Sequence, residues 1–67
     1  MTLKELIKAK GYTQTSLANK LGVSQPTVSG WIRGVNKPKT KDLPRIAKAL
    51  GVSVNKLVGV LNGNDDI

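Results

Sequence analysis

The sequence predicts an all-α domain of five short helices, and three observations carry that prediction. Apolar residues recur at i, i+3 and i+4 along most of the chain. Gly11, Gly22, Gly34 and Gly51 each close one of the first four apolar stretches. No run alternates with period two and Phe is absent, so nothing reads as a strand.

The first helix places Leu3, Leu6 and Ile7 on one face and turns Lys4, Glu5 and Lys8 outward. Thr2 precedes it with Glu5 three residues on, the spacing of a capping box, and Gly11 stops it at about Lys10. Thr13 caps a second helix from Gln14 to about Leu21 that buries Leu17, Ala18 and Leu21. Ser24 caps a third from Gln25 to about Arg33, with Val28, Trp31 and Ile32 as its apolar stripe. Pro26 falls in its first turn, where a missing N–H costs nothing. Val35 to Thr40 reads as a loop, marked by Asn36, Pro38 and alternating lysines. A fourth helix runs from about Lys41 or Asp42 to Leu50 with Leu43, Ile46, Ala47 and Leu50 inward and Pro44 in its first turn. Ser53 caps a fifth with Val54, Leu57, Val58 and Leu61 inward. The expected core is Leu6, Leu17, Ala18, Leu21, Val23, Val28, Trp31, Leu43, Ile46, Leu50, Val54 and Leu57. Residues 1–61 form the domain and 62–67 a polar tail.

The chain has 67 residues, room for one small domain where the usual size is ~100–150. It has no Cys and no His, which removes thiolate ligands, disulfides, and the commonest metal ligand and general base. The four acidic residues are Glu5, Asp42, Asp65 and Asp66, the last two in the polar tail. No phosphate-binding GxxxxGK[ST] loop and no GxSxG nucleophile turn occurs. An enzyme is therefore not expected, nor a metal, cofactor or small-molecule ligand. No apolar run approaches the ~20 residues that span a bilayer. Eleven basic residues against four acidic give a net charge of +7 and a pI near 10.2. Such a balance favours a polyanion, usually nucleic acid, as partner, and a cytoplasmic location is expected.

The informative stretch is Gln14 to Arg33, QTSLANKLGVSQPTVSGWIR. Two helices meet at the three-residue turn Gly22-Val23-Ser24. A helix-turn-helix needs a Gly where the backbone leaves the first helix with positive φ. It needs a small residue, here Ala18, where the helices approach, and apolar residues at Leu17, Leu21, Val23, Val28 and Trp31 to hold their angle. On a wheel of 100° per residue, Gln25, Pro26, Ser29, Gly30 and Arg33 share the outward arc of the third helix. That arc has little charge and much hydrogen-bonding capacity, as a helix in a DNA major groove requires. Trp31 lies on the inward arc and reads as core, not as a base-stacking residue.

The chain resembles the phage repressor and Cro family of helix-turn-helix domains, the lambda-repressor-like or XRE type. The resemblance rests on Gly11-Tyr12-Thr13-Gln14, Leu17-Ala18, Leu21-Gly22-Val23-Ser24, Val28-Ser29-Gly30-Trp31, Arg33-Gly34, Lys37-Pro38 and Ile46-Ala47-Lys48-Ala49-Leu50-Gly51-Val52-Ser53. It covers about Leu3 to Leu61. Gln25 can pair with adenine N6 and N7, and the resemblance also implies base reading there. Ser29 can bond a base edge. Pro26 and Gly30 depart from the longer polar residues of many relatives: Pro26 offers apolar contact, and Gly30 a close approach of the groove wall. Gln14, at a helix N-terminus, suits a phosphate, and the resemblance implies the same role. Thr27, Arg33 and the loop residues Asn36, Lys37, Lys39 and Lys41 complete the expected phosphate contacts. Lys4, Lys8 and Lys10 are either flanking contacts or solvated charge.

The resemblance further implies a symmetric contact built around the fifth helix and the loop before it, with Lys56, Val60 and Leu61 offered to the partner. The expectation is a sequence-specific double-stranded DNA-binding protein, a repressor of the Cro type. It would form a weak homodimer strengthened on a pseudo-palindromic operator. Two alternatives use the same fold: an antitoxin or antirepressor-type regulator that binds a protein, and the DNA-binding fragment of a longer repressor. An RNA-binding domain would need more stacking aromatics than Tyr12 and Trp31.

Overall fold

The computed structural model describes residues 2–62. Within them the chain forms α1 (Leu3–Ala9), α2 (Gln14–Leu21), α3 (Gln25–Arg33), a 3₁₀ turn (Thr40–Asp42), α4 (Leu43–Leu50) and α5 (Val54–Leu61), with no strand among the described residues. The tail expected at 62–67 lies outside the described residues except for Asn62.

Local chemistry sets the helix ends. The Glu5 N–H donates to Thr2 Oγ1 at 3.2 Å and the Thr2 N–H donates to Glu5 Oε1 at 2.8 Å, closing the capping box. Hydrogen bonds from the Thr2 backbone hold the Glu5 carboxyl below its ordinary value. This cap therefore acts in full above the usual carboxylate range and is lost as pH falls through the lowered pKa. Thr13 caps α2 through Ser16, in both directions, and Ser24 and Ser53 accept from the N–H groups of Thr27 and Lys56.

At the turn between α2 and α3, Gly22 has φ 75° and ψ 28°. This left-handed geometry lets the Val23 N–H reach Ala18 O at 3.0 Å. Nothing lies within 4 Å of where a Gly22 Cβ would sit, so a side chain there meets backbone strain and no clash. Gly22→Val is expected to destabilise the fold by more than about 1 kcal/mol, read as a lower midpoint of thermal unfolding. An unmoved midpoint would show that the turn does not depend on this φ.

One boundary differs from expectation. The fourth helix does not start at Lys41 or Asp42; a 3₁₀ turn occupies Thr40–Asp42 and α4 begins at Leu43. Pro44 has no N–H to give to Thr40 O four residues back. The Leu43 N–H takes that carbonyl instead, the i to i−3 pattern of a 3₁₀ helix.

The core gathers Leu3, Leu6, Ile7, Leu17, Ala18, Leu21, Val28, Trp31, Ile46, Ala47, Leu50, Leu57 and Val60. α2 packs chiefly on α3, and α4 on α5. Val23 and Leu43, expected inside, are only partly buried. α5 is turned from its expected face: Val54 is 38% exposed and Val60, assigned to a dimer surface, is 6% exposed. Val60 thus belongs to the core. α5 carries five apolar residues in eight, VNKLVGVL, so its pattern does not specify one face. Lys56 is exposed and Leu61 half-buried.

Arg45 joins the two halves of the domain. Its Nη2 donates to Leu21 O at 2.6 Å, and its Nη1 lies 3.7 Å from Asp42 Oδ1. A cation thus occupies the end of α2, where carbonyls lack helical partners and the helix dipole is negative. No helix among the described residues is long and apolar enough to cross a membrane.

Candidate nucleic-acid interface

α3 is fixed from below by Val28 and Trp31, 0% and 7% exposed. These two positions set which residues face out: Gln25, Pro26 and Arg33 are exposed and Ser29 is half-buried. Tyr12, the other aromatic residue, packs partly buried against the core.

The first residues of α2 and α3 meet. Gln25 Nε2 donates to Gln14 Oε1 at 2.7 Å. An amide nitrogen has two protons, so Gln25 keeps one donor and its carbonyl oxygen, and Gln14 keeps both of its donors. This bond orients together the two amides that the sequence assigns to a base edge and to a phosphate. Sequence spacing does not reveal it, because the residues are eleven positions apart and the turn brings them into contact.

A groove of about 420 Å³ runs beside α3. Val23 and Trp31 contribute to its apolar lining, and Thr27, Asn36, Lys37, Lys39 and Lys41 lie along it. The structure therefore brings together five of the residues assigned to phosphates. Thr27 is held by Ser24, with the two hydroxyl oxygens 2.7 Å apart. Lys37 Nζ donates to Asn62 Oδ1 at 3.3 Å, which ties the loop to the end of α5 and leaves two ammonium protons. Arg33 stands exposed in the last turn of α3.

Gly30 does not have the setting expected of it. It is buried, covered by the side chain of Asn36, whose amide atoms come within 3.0 Å of an ideal Gly30 Cβ. The Asn36 amide thus covers the backbone of Gly30 in the DNA-free protein. Pattern reading treats α3 as an isolated cylinder and misses a loop that folds back over it. Arg45, counted in the sequence only as charge, is likewise visible only once α2 and α4 are packed.

A helix-turn-helix family model matches residues 3–57, a span that takes in α2, the turn, α3 and the basic loop. The chain belongs to this family, the helix-turn-helix domains of lambda-repressor and Cro type. The family is one of DNA-binding transcription regulators and not a class of enzyme. The chain is also 36% identical over 56 residues to an uncharacterized HTH-type transcriptional regulator, YqaE, of Bacillus subtilis (strain 168), covering 84% of this chain and 48% of that protein. The chain spans about half the length of this relative. No solved structure matches the present chain.

Proposed function

We propose that the protein binds a specific double-stranded DNA site and acts as a repressor of the Cro type, by occupying an operator without chemistry. The observation that supports this best is the outward face of α3, whose first residue Gln25 is held by Gln14, on a helix whose Thr27 lines a groove bordered by three lysines. Gln25, Pro26 and Ser29 face the base edges in the major groove. Gln14, Thr27, Arg33, Lys37, Lys39 and Lys41 contact phosphates, which position the helix without reading sequence. The domain spans 1–61, and the protein works in the cytoplasm.

One short helix reads too few base pairs to single out a site among the ~10⁶ or more a genome offers. Two subunits with α3 helices about 34 Å apart, one turn of DNA, can do so. The dimer surface is proposed around Lys56 and Leu61, and the 38% exposed Val54 adds apolar area to it. It is small, so the dimer is weak in free solution and strengthened on DNA.

Selection of bound duplexes from a random pool tests this reading. One enriched site of two symmetric half-sites, spaced by about one helical turn, is the expected result. No enrichment above background would favour a protein partner, as for an antitoxin or antirepressor. Arg33→Ala, Lys37→Ala and Lys39→Ala should each weaken specific and non-specific binding alike. Each should also lower the slope of log K against log salt by about one unit per subunit. An unchanged slope for all three would remove the loop and the end of α3 from the footprint.

A further inference from the structure

We propose that a second groove, between α2 and α4 and apart from the DNA-reading face, docks an acidic segment of a partner protein. The inference stands or falls independently of the DNA-binding reading above.

The first observation is placement. The groove measures about 420 Å³ and is lined by Tyr12, Lys20, Leu21, Arg45, Lys48 and Ala49. None of these lines the groove beside α3, and none is among the residues offered to DNA. Lys20 stands six residues beyond Gln14, about 9 Å along α2 at 1.5 Å per residue. It lies at the opposite end of α2 from the one offered to a phosphate.

The second is charge. Three cations line the groove and no acid does. Lys10 adds a fourth at the same end of α4, its Nζ 3.3 Å from where a Gly51 Cβ would begin. The acidic side chains among the described residues are Glu5 and Asp42, and both are engaged. Glu5 accepts from the Thr2 N–H, and Asp42 lies against Arg45. Lys20 and Lys48 are exposed and form no hydrogen bond or ion pair among the described residues. Both stand in the last turn of a helix, where a cation ordinarily offsets the helix dipole. The end of α2, however, is already met by Arg45, which donates to Leu21 O. Lys20 is surplus to that role, and its charge is left for an outside anion.

The third is the lining, which decides the class of anion. Leu21 and Ala49 are apolar, and Tyr12 adds a half-buried ring with a phenol that can donate. A DNA backbone would leave that lining uncovered, because it carries no apolar side group to seat there. A peptide covers it: carboxylates flanking one apolar side chain meet the lysines while that side chain rests on Leu21, Ala49 and the Tyr12 ring. Arg45 spends Nη2 on Leu21 O and holds Nη1 near Asp42, which fixes the guanidinium and leaves others of its five N–H donors for a carboxylate. These ion pairs are open to water, so the docking is weak and falls as salt rises.

Selection from a displayed pool of random decapeptides against the unaltered chain is the test. Enriched peptides are expected to carry acidic residues on both sides of an apolar one. They should bind the double variant Lys20→Glu with Lys48→Glu about 10-fold or more weakly, because like charges then face each other. Peptides with Lys in place of the acids should bind that variant instead, and a saturating duplex should leave the acidic peptides in place. Thermal melts check that the variant folds, and Lys20→Gln with Lys48→Gln is the milder pair should it not. No enrichment, or enriched peptides that bind the folded variants as well as the unaltered chain, would overturn the inference. Displacement of the peptides by duplex would overturn it too, by placing them on the DNA face or DNA in this groove. Self-association lost in the variants, without peptide enrichment, would make the groove a contact between copies and overturn it likewise. Peptide enrichment by a chain that enriches no duplex would leave this inference standing and the DNA-binding reading fallen.

Discussion

Leu17→Ala is expected to cost about 2–5 kcal/mol, the largest effect of any single truncation proposed for this protein. Leu17 is 0% exposed and sits in the middle of α2, which packs chiefly on α3. Cutting its isobutyl group back to a methyl loses the transfer free energy of three carbons and leaves a cavity that two short helices cannot close without moving the turn between them. A chain of 67 residues has a stability of about 3–10 kcal/mol at ~0.05–0.15 kcal/mol per residue. At the lower end of that range the variant is partly unfolded at room temperature, and at the upper end it stays folded with a lower unfolding midpoint. Urea or thermal denaturation followed by circular dichroism measures the change. Val54→Ala, at a residue 38% exposed, should cost less than about 1 kcal/mol by comparison. Equal losses at the two positions would mean that burial of Leu17 in the core does not set its contribution to stability.

Most of the fold was legible because its punctuation is local. The bounds of α2 and α3 follow from side chains one turn away: Thr13 and Ser24 at the starts, Gly22 and Gly34 at the ends. Such signals act within a few residues and survive translation into structure. What was not legible depends on packing. α5 is apolar nearly all round, so its docking on α4 and α1 decides that Leu57 and Val60 turn inward and Val54 outward. The 3₁₀ turn before α4 was readable in principle from the missing N–H of Pro44. The candidate site divides the same way. Gln14, Gln25 and the loop lysines could be named from helix ends and charge. The bond between the two glutamines, and the cover of Asn36 over Gly30, exist only after the chain has turned back on itself.

The coupling between Gln14 and Gln25 sets the form of the second large effect. On the proposed reading, Gln25→Ala removes a bidentate adenine contact worth about 1–3 kcal/mol per subunit, a loss of roughly 5- to 150-fold for each half-site. It should relax preference at one base pair per half-site and leave non-specific affinity nearly unchanged, since no charge is lost. Gln14→Ala should act differently. It removes a phosphate contact and also the acceptor that holds Gln25 Nε2 at 2.7 Å, so affinity falls on all sequences and the adenine preference weakens as well. Because part of each loss is the same bond, the double variant should lose less than the sum of the singles, a signature read from a double-mutant cycle on the selected site and on a site altered at that base pair. Full additivity would mean that the two amides act on DNA independently and that their bond in the free protein is broken on binding. A uniform loss from Gln25→Ala on both sites would make Gln25 a backbone contact and move sequence reading to the remainder of α3 and its loop.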